Sequence, residues 1–318
     1  MPKGSALPIR PRHAYRVVRW ACAAALLAAG GGCEAEDPAP DDAGVTIQAD
    51  GAGDPQWPWL TVIDTMGFTR QKPIGVAPGF DLDGKISDTD DASTCGKGDL
   101  RSPDGEQGID NEFAKLVPLV EASGIGALEG LIQSTINDGG IMLMLQLDGL
   151  DDPVDDAEVT LRVRAGAGVP LLGTDGLLLA GQTFSKHTDS PEVATAATVQ
   201  GGVMNAGPFD LKLPLVVFGV RYDLDLRSVR VRARLTASGG MAEGIFGGGL
   251  TMASILDIAQ KGAADQKNLV ELVMGVLGGA GDLAPDPETG ECTQLSAVLQ
   301  FTGVNAYLFD DTTQKTAP

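Results

Sequence analysis

VRYDLDLRSVRVRARL (Val220–Leu235) has the most regular alternation in the chain. Val220, Tyr222, Leu224 and Leu226 fall on one face, and Val229, Val231, Ala233 and Leu235 continue it after a change of phase. Period-two alternation marks a strand with one face buried and one in water. The phase change predicts a hairpin turn around Arg227-Ser228, which sets Asp225 opposite Arg230 and Asp223 opposite Arg232. Opposite charges facing each other across strands contribute about 0.2–1 kcal/mol per pair. The row Arg230, Arg232, Arg234 is therefore expected to be a charge-paired outer sheet face rather than an anion site.

Similar patterns flank this stretch. Val159, Leu161 and Val163 alternate with Thr160, Arg162 and Arg164, and Phe209, Leu211, Leu213 and Leu215 alternate up to an edge position at Pro214. Ile141–Leu147 is a continuous apolar run, and Trp57–Phe68 and Leu295–Phe301 predict a first and a last strand. Leu177–Phe184 and Glu192–Val203 are weaker candidates. Helical spacing occurs at Phe113, Leu116, Val117 and Val120, with Asp110 or Asn111 as cap and a kink or restart at Pro118. A second helical piece is carried by Leu128, Leu131, Ile132 and Ile136, and others by Leu250–Gln260 and Leu269–Leu277. Gly244 and Gly247 to Gly249 predict a flexible turn. The expected fold is mainly β (α+β), an antiparallel sandwich-like domain with a few short helices.

Three segments divide the chain. Residues 1–32 carry five basic residues and then the short apolar run WACAAALLAA (Trp20–Ala29), the layout of a signal peptide rather than a membrane span. Residues 33–56 hold seven acids, three prolines and no basic residue, and cannot bury a core. They form a disordered acidic tether. Residues 57–318 are a single β-rich domain. Gly30-Gly31-Gly32-Cys33 resembles a bacterial lipobox, with Gly30 in place of the usual larger aliphatic residue. The resemblance implies lipid attachment at Cys33, with plain secretion and cleavage nearby as the alternative. The membrane is then a partner through the lipid, and the location is the bacterial cell envelope, at the outer membrane or cell surface.

The whole chain carries a net charge of −20, and without the five leader bases 18 basic residues face 43 acidic ones, about −25. Such a surface repels phosphate backbones, so nucleic acid is excluded as a partner. Cys22 lies in the leader, so Cys95 and Cys292 are the two cysteines left to pair in an exported chain. Closing so long a loop stabilises by roughly 5 kcal/mol on chain-entropy grounds. Two independent buried thiols are the alternative. Zinc is disfavoured, because the mature chain adds one histidine, His187, to these cysteines.

The acids concentrate in GFDLDGKISDTDDASTCGKGDLRSPDGEQGIDNE (Gly79–Glu112), ten acidic residues against three basic. Its first part resembles the calcium loops of EF-hand and dockerin-like modules. The resemblance implies Ca2+ ligands at Asp81, Asp83, Ser87 and Asp90 and at the backbone carbonyl of Lys85, with Gly84 at the sharp bend. It departs from the pattern at Gly79, where an Asp is usual, and at Asp90, where a Glu is usual. A second acidic turn, Asp104-Gly105-Glu106 with Asp110, offers further ligands. The alternative is a solvated acidic loop held by Asx turns and the disulfide.

Nucleophile elbow, zinc-protease and phosphate-loop motifs are absent. Gly124–Gly130 does not match a dinucleotide turn, and no catalytic residue is assigned. GFDLDG, SPDGEQGIDNE, LDGLDD (Leu147–Asp152) and AGPFDLKLP (Ala206–Pro214), with a late cysteine before the last strand, are similar to exported lipoproteins of myxobacterial type. That resemblance implies export and one disulfide-tied domain and carries no activity. The expected function is an envelope lipoprotein whose β-rich domain binds or scaffolds an unknown extracytoplasmic partner, steadied by calcium. The alternatives are a secreted carboxylate-dependent hydrolase acting on glycans and a lipid carrier.

Overall fold

The computed structural model describes residues 59–122, 128–187, 192–217, 220–262, 275, 277 and 279–309. Cys33, the leader, the tether and most of the expected Leu269–Leu277 helix lie outside them. Eight strands pair antiparallel with their neighbours in chain order: β1 (Trp59–Phe68), β2 (Leu143–Asp148), β3 (Asp156–Ala167), β5 (Val193–Gln200), β6 (Val203–Val217), β7 (Val220–Leu235), β8 (Met241–Thr251) and β10 (Cys292–Phe309). β10 then pairs with β1. The sheet therefore closes on itself as a barrel. Two short strands, β4 (Gln182–Lys186) and β9 (Leu283–Pro285), pair with the two ends of β10. The helices are α1 (Glu112–Ala122), α2 (Leu128–Asn137) and α3 (Met252–Gly262).

The expected sandwich is thus replaced by an antiparallel barrel. Both architectures share the same alternation along each strand, so periodicity does not separate them. Closure depends on β10, which pairs with β8 from Gln294 and with β1 up to Asn305. A strand of that length can serve two neighbours along overlapping stretches.

The expected hairpin is absent, because Val220–Leu235 is one strand, β7. Ser228, at φ 50°, forms a bulge between Arg227 and Arg230 in the pairing with β8. A bulge inserts one residue and shifts the alternation by one, the same signature a two-residue turn leaves in sequence. Asp210 holds the bulge by accepting from the Ser228 amide (3.1 Å) and from Arg227 (2.8 Å).

The expected turn at Gly244 to Gly249 is also strand, within β8. Here glycine makes room. A Cβ on Gly244 would lie 2.6 Å from the Phe301 ring, and one on Gly247 would lie 2.9 Å from the ring of Phe80. Pro214 does sit where β6 has one partner, because β5 pairs only as far as Ala206. α1 starts after Asn111, whose Oδ1 accepts from the Ala114 amide (3.2 Å), and it runs unbroken through the exposed Pro118 to Ala122.

Register fixes what faces inward. Leu145, Leu161, Met204, Val231 and Phe246 belong to one contiguous buried cluster. Fully burying such a side chain stabilises by about 1.5–3 kcal/mol. Their neighbours Arg162, Arg164, Arg230 and Arg232 face outward. Apolar inside and charged outside is the reverse of a membrane-spanning barrel.

Candidate functional site

The acidic stretch from Gly79 folds against the outer wall formed by β7, β8 and β10. The Phe80 ring packs over Gly247, next to Val298. The bridges Phe80 to Asp110 and Leu100 to Ile109 fold the loop back on itself, and Ala77, Leu100, Ile109 and Ala114 form a small buried cluster beneath it. Asn111 donates to Thr69 Oγ1 (2.7 Å) and to the Pro78 carbonyl (2.9 Å), and the Glu112 amide donates to Ser296 Oγ (2.7 Å). The Cys95–Cys292 disulfide is formed, with an S–S distance of 2.05 Å and Cα atoms 6.0 Å apart. It ties the loop to the first residue of β10 and spans 197 residues of sequence.

Within this loop Asp81, Asp83 and Asp110 bring carboxylate oxygens to within 4.8 Å of one another. Asx turns place the first two: Asp81 Oδ1 accepts from the Gly84 amide (2.6 Å) and Asp83 Oδ1 from the Lys85 amide (2.9 Å). Gly84, at φ 77°, allows the bend. Asp110 reaches in from the far strand of the loop, where its Oδ2 accepts from the amides of Leu82 (2.6 Å) and Asp83 (3.3 Å). It is buried, and burial pushes its pKa up to about 8, with the charges of Asp83, Asp99 and Asp282 adding to the rise. Asp99 is raised for the same reason, chiefly by burial and partly by Asp83 and Asp81.

The other expected ligands lie differently. The Ser87 amide donates to Asp99 (2.5 Å), and the Asp90 amide donates to Asp88 Oδ1 (2.9 Å) on an exposed turn. The Lys85 carbonyl and Asp81 Oδ2 both face Gly108, where a Cβ would lie 2.6 Å from the first and 3.6 Å from the second. From the second acidic turn Asp110 joins the cluster, whereas Asp104 bonds to Ser102 Oγ (2.5 Å). Three carboxylates with a carbonyl nearby make an oxygen-rich donor set suited to a hard cation such as calcium.

Beside the loop runs an open groove of about 820 Å³. Its floor is the outward face of Arg232, Arg234, Ile245, Gln300 and Thr302. Pro103 and Asp104 form one wall, and Glu129 and Gln133 of α2 form the other. Most charges here are paired. Arg70 bridges Glu121 and Glu129 (both 2.7 Å), and Arg234 meets Glu243 (3.0 Å). Arg232 instead stacks over Phe80, 5.6 Å from the ring centre. The expected partners of the arginine row disappeared with the hairpin. Among the described residues Arg230 and Arg232 face no carboxylate at ion-pair distance, while Asp225 pairs with Arg227 (2.7 Å). Asp104 and Glu129 are held below the usual carboxylate range, chiefly by Ser102 and by Arg70 respectively, so neither is poised as a proton donor.

Compared with protein-family models, curated proteins and solved structures, the chain matches none.

Proposed function

We infer that this chain is an exported, lipid-anchored envelope protein whose barrel is an extracytoplasmic binding or structural module, with an entry loop steadied by calcium. The observation that carries the calcium reading is the convergence of Asp81, Asp83 and Asp110 in a loop tied down by Cys95–Cys292. Like charges held this close in a partly buried site repel, and a divalent cation relieves that repulsion. A disulfide fits an oxidising compartment outside the cytoplasm. The leader, Cys33 and the acidic tether fit anchoring at the cell surface. The packed interior favours a site on the outer wall over an internal lipid cavity, and the charge pairing in the groove favours binding over glycan hydrolysis.

Calcium is tested by thermal unfolding of the full-length protein in chelator and in about 1 mM calcium. Calcium raises the melting temperature of the wild type, and Asp81→Ala with Asp83→Ala abolishes the gain. Because binding displaces a proton from Asp110, the gain grows as pH rises from 6 towards 8. No shift at any pH removes calcium from the proposal. Anchoring is tested separately, by whether Cys33→Ser moves the protein from the membrane fraction to the soluble one.

A further inference from the structure

The outward face of β7 poses a problem of charge. The chain has 43 acidic residues and 23 basic ones, so an arginine has an excess of partners to choose from. Arg227 and Arg234 find them, yet Arg232, half-buried on the floor of the groove, has none among the described residues. Its guanidinium is fixed against the Phe80 ring. A planar fork held in place by an aromatic face is pre-organised for a carboxylate, which it can meet with two parallel hydrogen bonds.

The surroundings narrow the ligand. Asp104 stands on the adjacent wall and is electrostatically coupled to Arg232 without touching it. That negative charge penalises a doubly charged phosphate more than a singly charged carboxylate. Gln300 is exposed on the same floor, and its amide makes no hydrogen bond among the described residues. Alongside it Thr65 and Thr302 hydrogen-bond to each other (2.5 Å), and Thr302 donates to Asp64 Oδ1 (2.6 Å), so both hydroxyl protons are committed and the oxygens are left to accept. An amide that donates and accepts, beside hydroxyl oxygens that accept, suits a ligand rich in hydroxyls. Ile245 adds a small apolar patch between them. The groove volume suits a ligand of two or three rings.

We propose that this groove binds a short acidic saccharide, with a uronate carboxylate on Arg232 and ring hydroxyls on Gln300. The proposal specifies the ligand of the binding module described above and rests on that reading. It does not require calcium or the lipid anchor, so its failure leaves the tests of both untouched.

Isothermal titration of the detergent-solubilised full-length protein with trigalacturonate is the test. The same sugar as its methyl ester and a triglutamate peptide serve as comparators. Trigalacturonate saturates a single site; the ester binds at least about tenfold more weakly, as loss of a charged hydrogen-bonded contact predicts, and the peptide, which keeps carboxylates but offers no ring hydroxyls to Gln300, binds about threefold to fivefold more weakly. Arg232→Met keeps the stem on Phe80 and loses about tenfold or more in affinity, and Arg232→Lys falls between. Gln300→Ala weakens acid and ester alike, by about threefold to fivefold. Should Arg232→Met fail to fold, Arg232→Lys and Gln300→Ala still decide. The proposal is overturned by any of three results. These are no trigalacturonate binding at millimolar concentration, equal affinity for acid and ester, or a triglutamate that binds as tightly as the sugar.

Discussion

The barrel and the loop laid against its wall are held by different forces. The barrel is closed by β10 and filled by inward side chains such as Leu161, Leu145 and Met204, none of which depends on pH or on ions. The loop from Gly79 to Glu112 contributes Leu100 and Ile109 to a small core shared with Ala77 and Ala114, and most of its shape comes from Asx turns, a disulfide and carboxylates bonded to amides. The first region follows from apolar burial, which is strong and non-directional. The second follows from groups whose strength changes with protonation, redox state and cation binding. Perturbations should therefore separate the two.

The largest separation comes from the disulfide. Removing a link that closes 197 residues lowers global stability by about 5 kcal/mol on chain-entropy grounds. Cys95→Ser with Cys292→Ser should therefore shift chemical unfolding strongly, and limited proteolysis should cut the loop before the barrel. A barrel cleaved as early as the loop would mean that the two do not differ in stability.

The opposite perturbation goes into the barrel. Leu161 is fully buried, and Leu161→Ala should cost about 3–4 kcal/mol in denaturant unfolding. The rise in melting temperature proposed for calcium should survive, because Asp81, Asp83 and Asp110 are not part of that core. Loss of the calcium response in this variant would show that loop and barrel unfold as one unit.

The same contrast explains what could be read from sequence. Inward and outward faces were legible wherever alternation was clean, as at Val159 to Val163, and the cysteine pairing followed from an expectation of export together with elimination. Closure was not legible, because a strand in a barrel and a strand in a sandwich carry the same pattern, and the pairing of β10 with both β8 and β1 is a long-range property. Nor was the bulge at Ser228, since one inserted residue and one tight turn shift the phase alike. The glycines of β8 carried a misleading signal. They permit a turn, but here each clears space beneath a ring or side chain that arrives from elsewhere in the sequence. In the acidic loop the local spacing placed Asp81 and Asp83 together. It offered Asp110 as one further ligand beside Asp104 and Glu106 but could not choose among them, because Asp110 arrives through the pairing of Phe80 with Asp110.

Electrostatics gives a smaller and more specific test. Asp282 is buried against Ser296, accepting from its amide (2.7 Å) and from its hydroxyl. Burial, with some help from Glu112, raises its pKa to about 6, while the hydrogen bonds from Ser296 and, after them, the charge of Lys115 oppose the rise. The folded protein therefore holds this proton more tightly than the unfolded chain does. Its contribution to stability falls as pH rises from about 4 to about 6 and levels off above, while that of Asp110 goes on falling towards pH 8. Asp282→Asn removes the charge but turns an amide donor towards the Ser296 oxygen, which already accepts from the Glu112 amide, so the hydroxyl proton loses its acceptor. At pH 7 it should stabilise by less than the about 2–3 kcal/mol that the removed charge alone predicts, and it should reduce the slope between pH 4 and pH 6. An unchanged pH profile would show that Asp282 is solvated in the folded protein.

The smallest effect is expected at the seam between the two regions. Gly247 has no Cβ, and Phe80 occupies the space that one would fill. A methyl group there would lie 2.9 Å from both the Phe80 ring and Val298, closer than normal contact, so the ring has to move. Strand backbone suits alanine at least as well as glycine, which offsets part of the strain. Gly247→Ala should therefore change global stability by no more than about 1 kcal/mol. Phe80 also carries the guanidinium of Arg232 and is the residue next to Asp81. Lifting the ring should weaken the proposed calcium response, by shifting the neighbouring Asp81, together with the binding of trigalacturonate, the latter by about twofold to threefold as a displaced rather than deleted cation–π contact predicts. Hydrogen exchange in the β6–β7 pair should stay unchanged. If calcium binding weakens and saccharide binding does not, Phe80 serves the loop alone and Arg232 is held by something other than its ring.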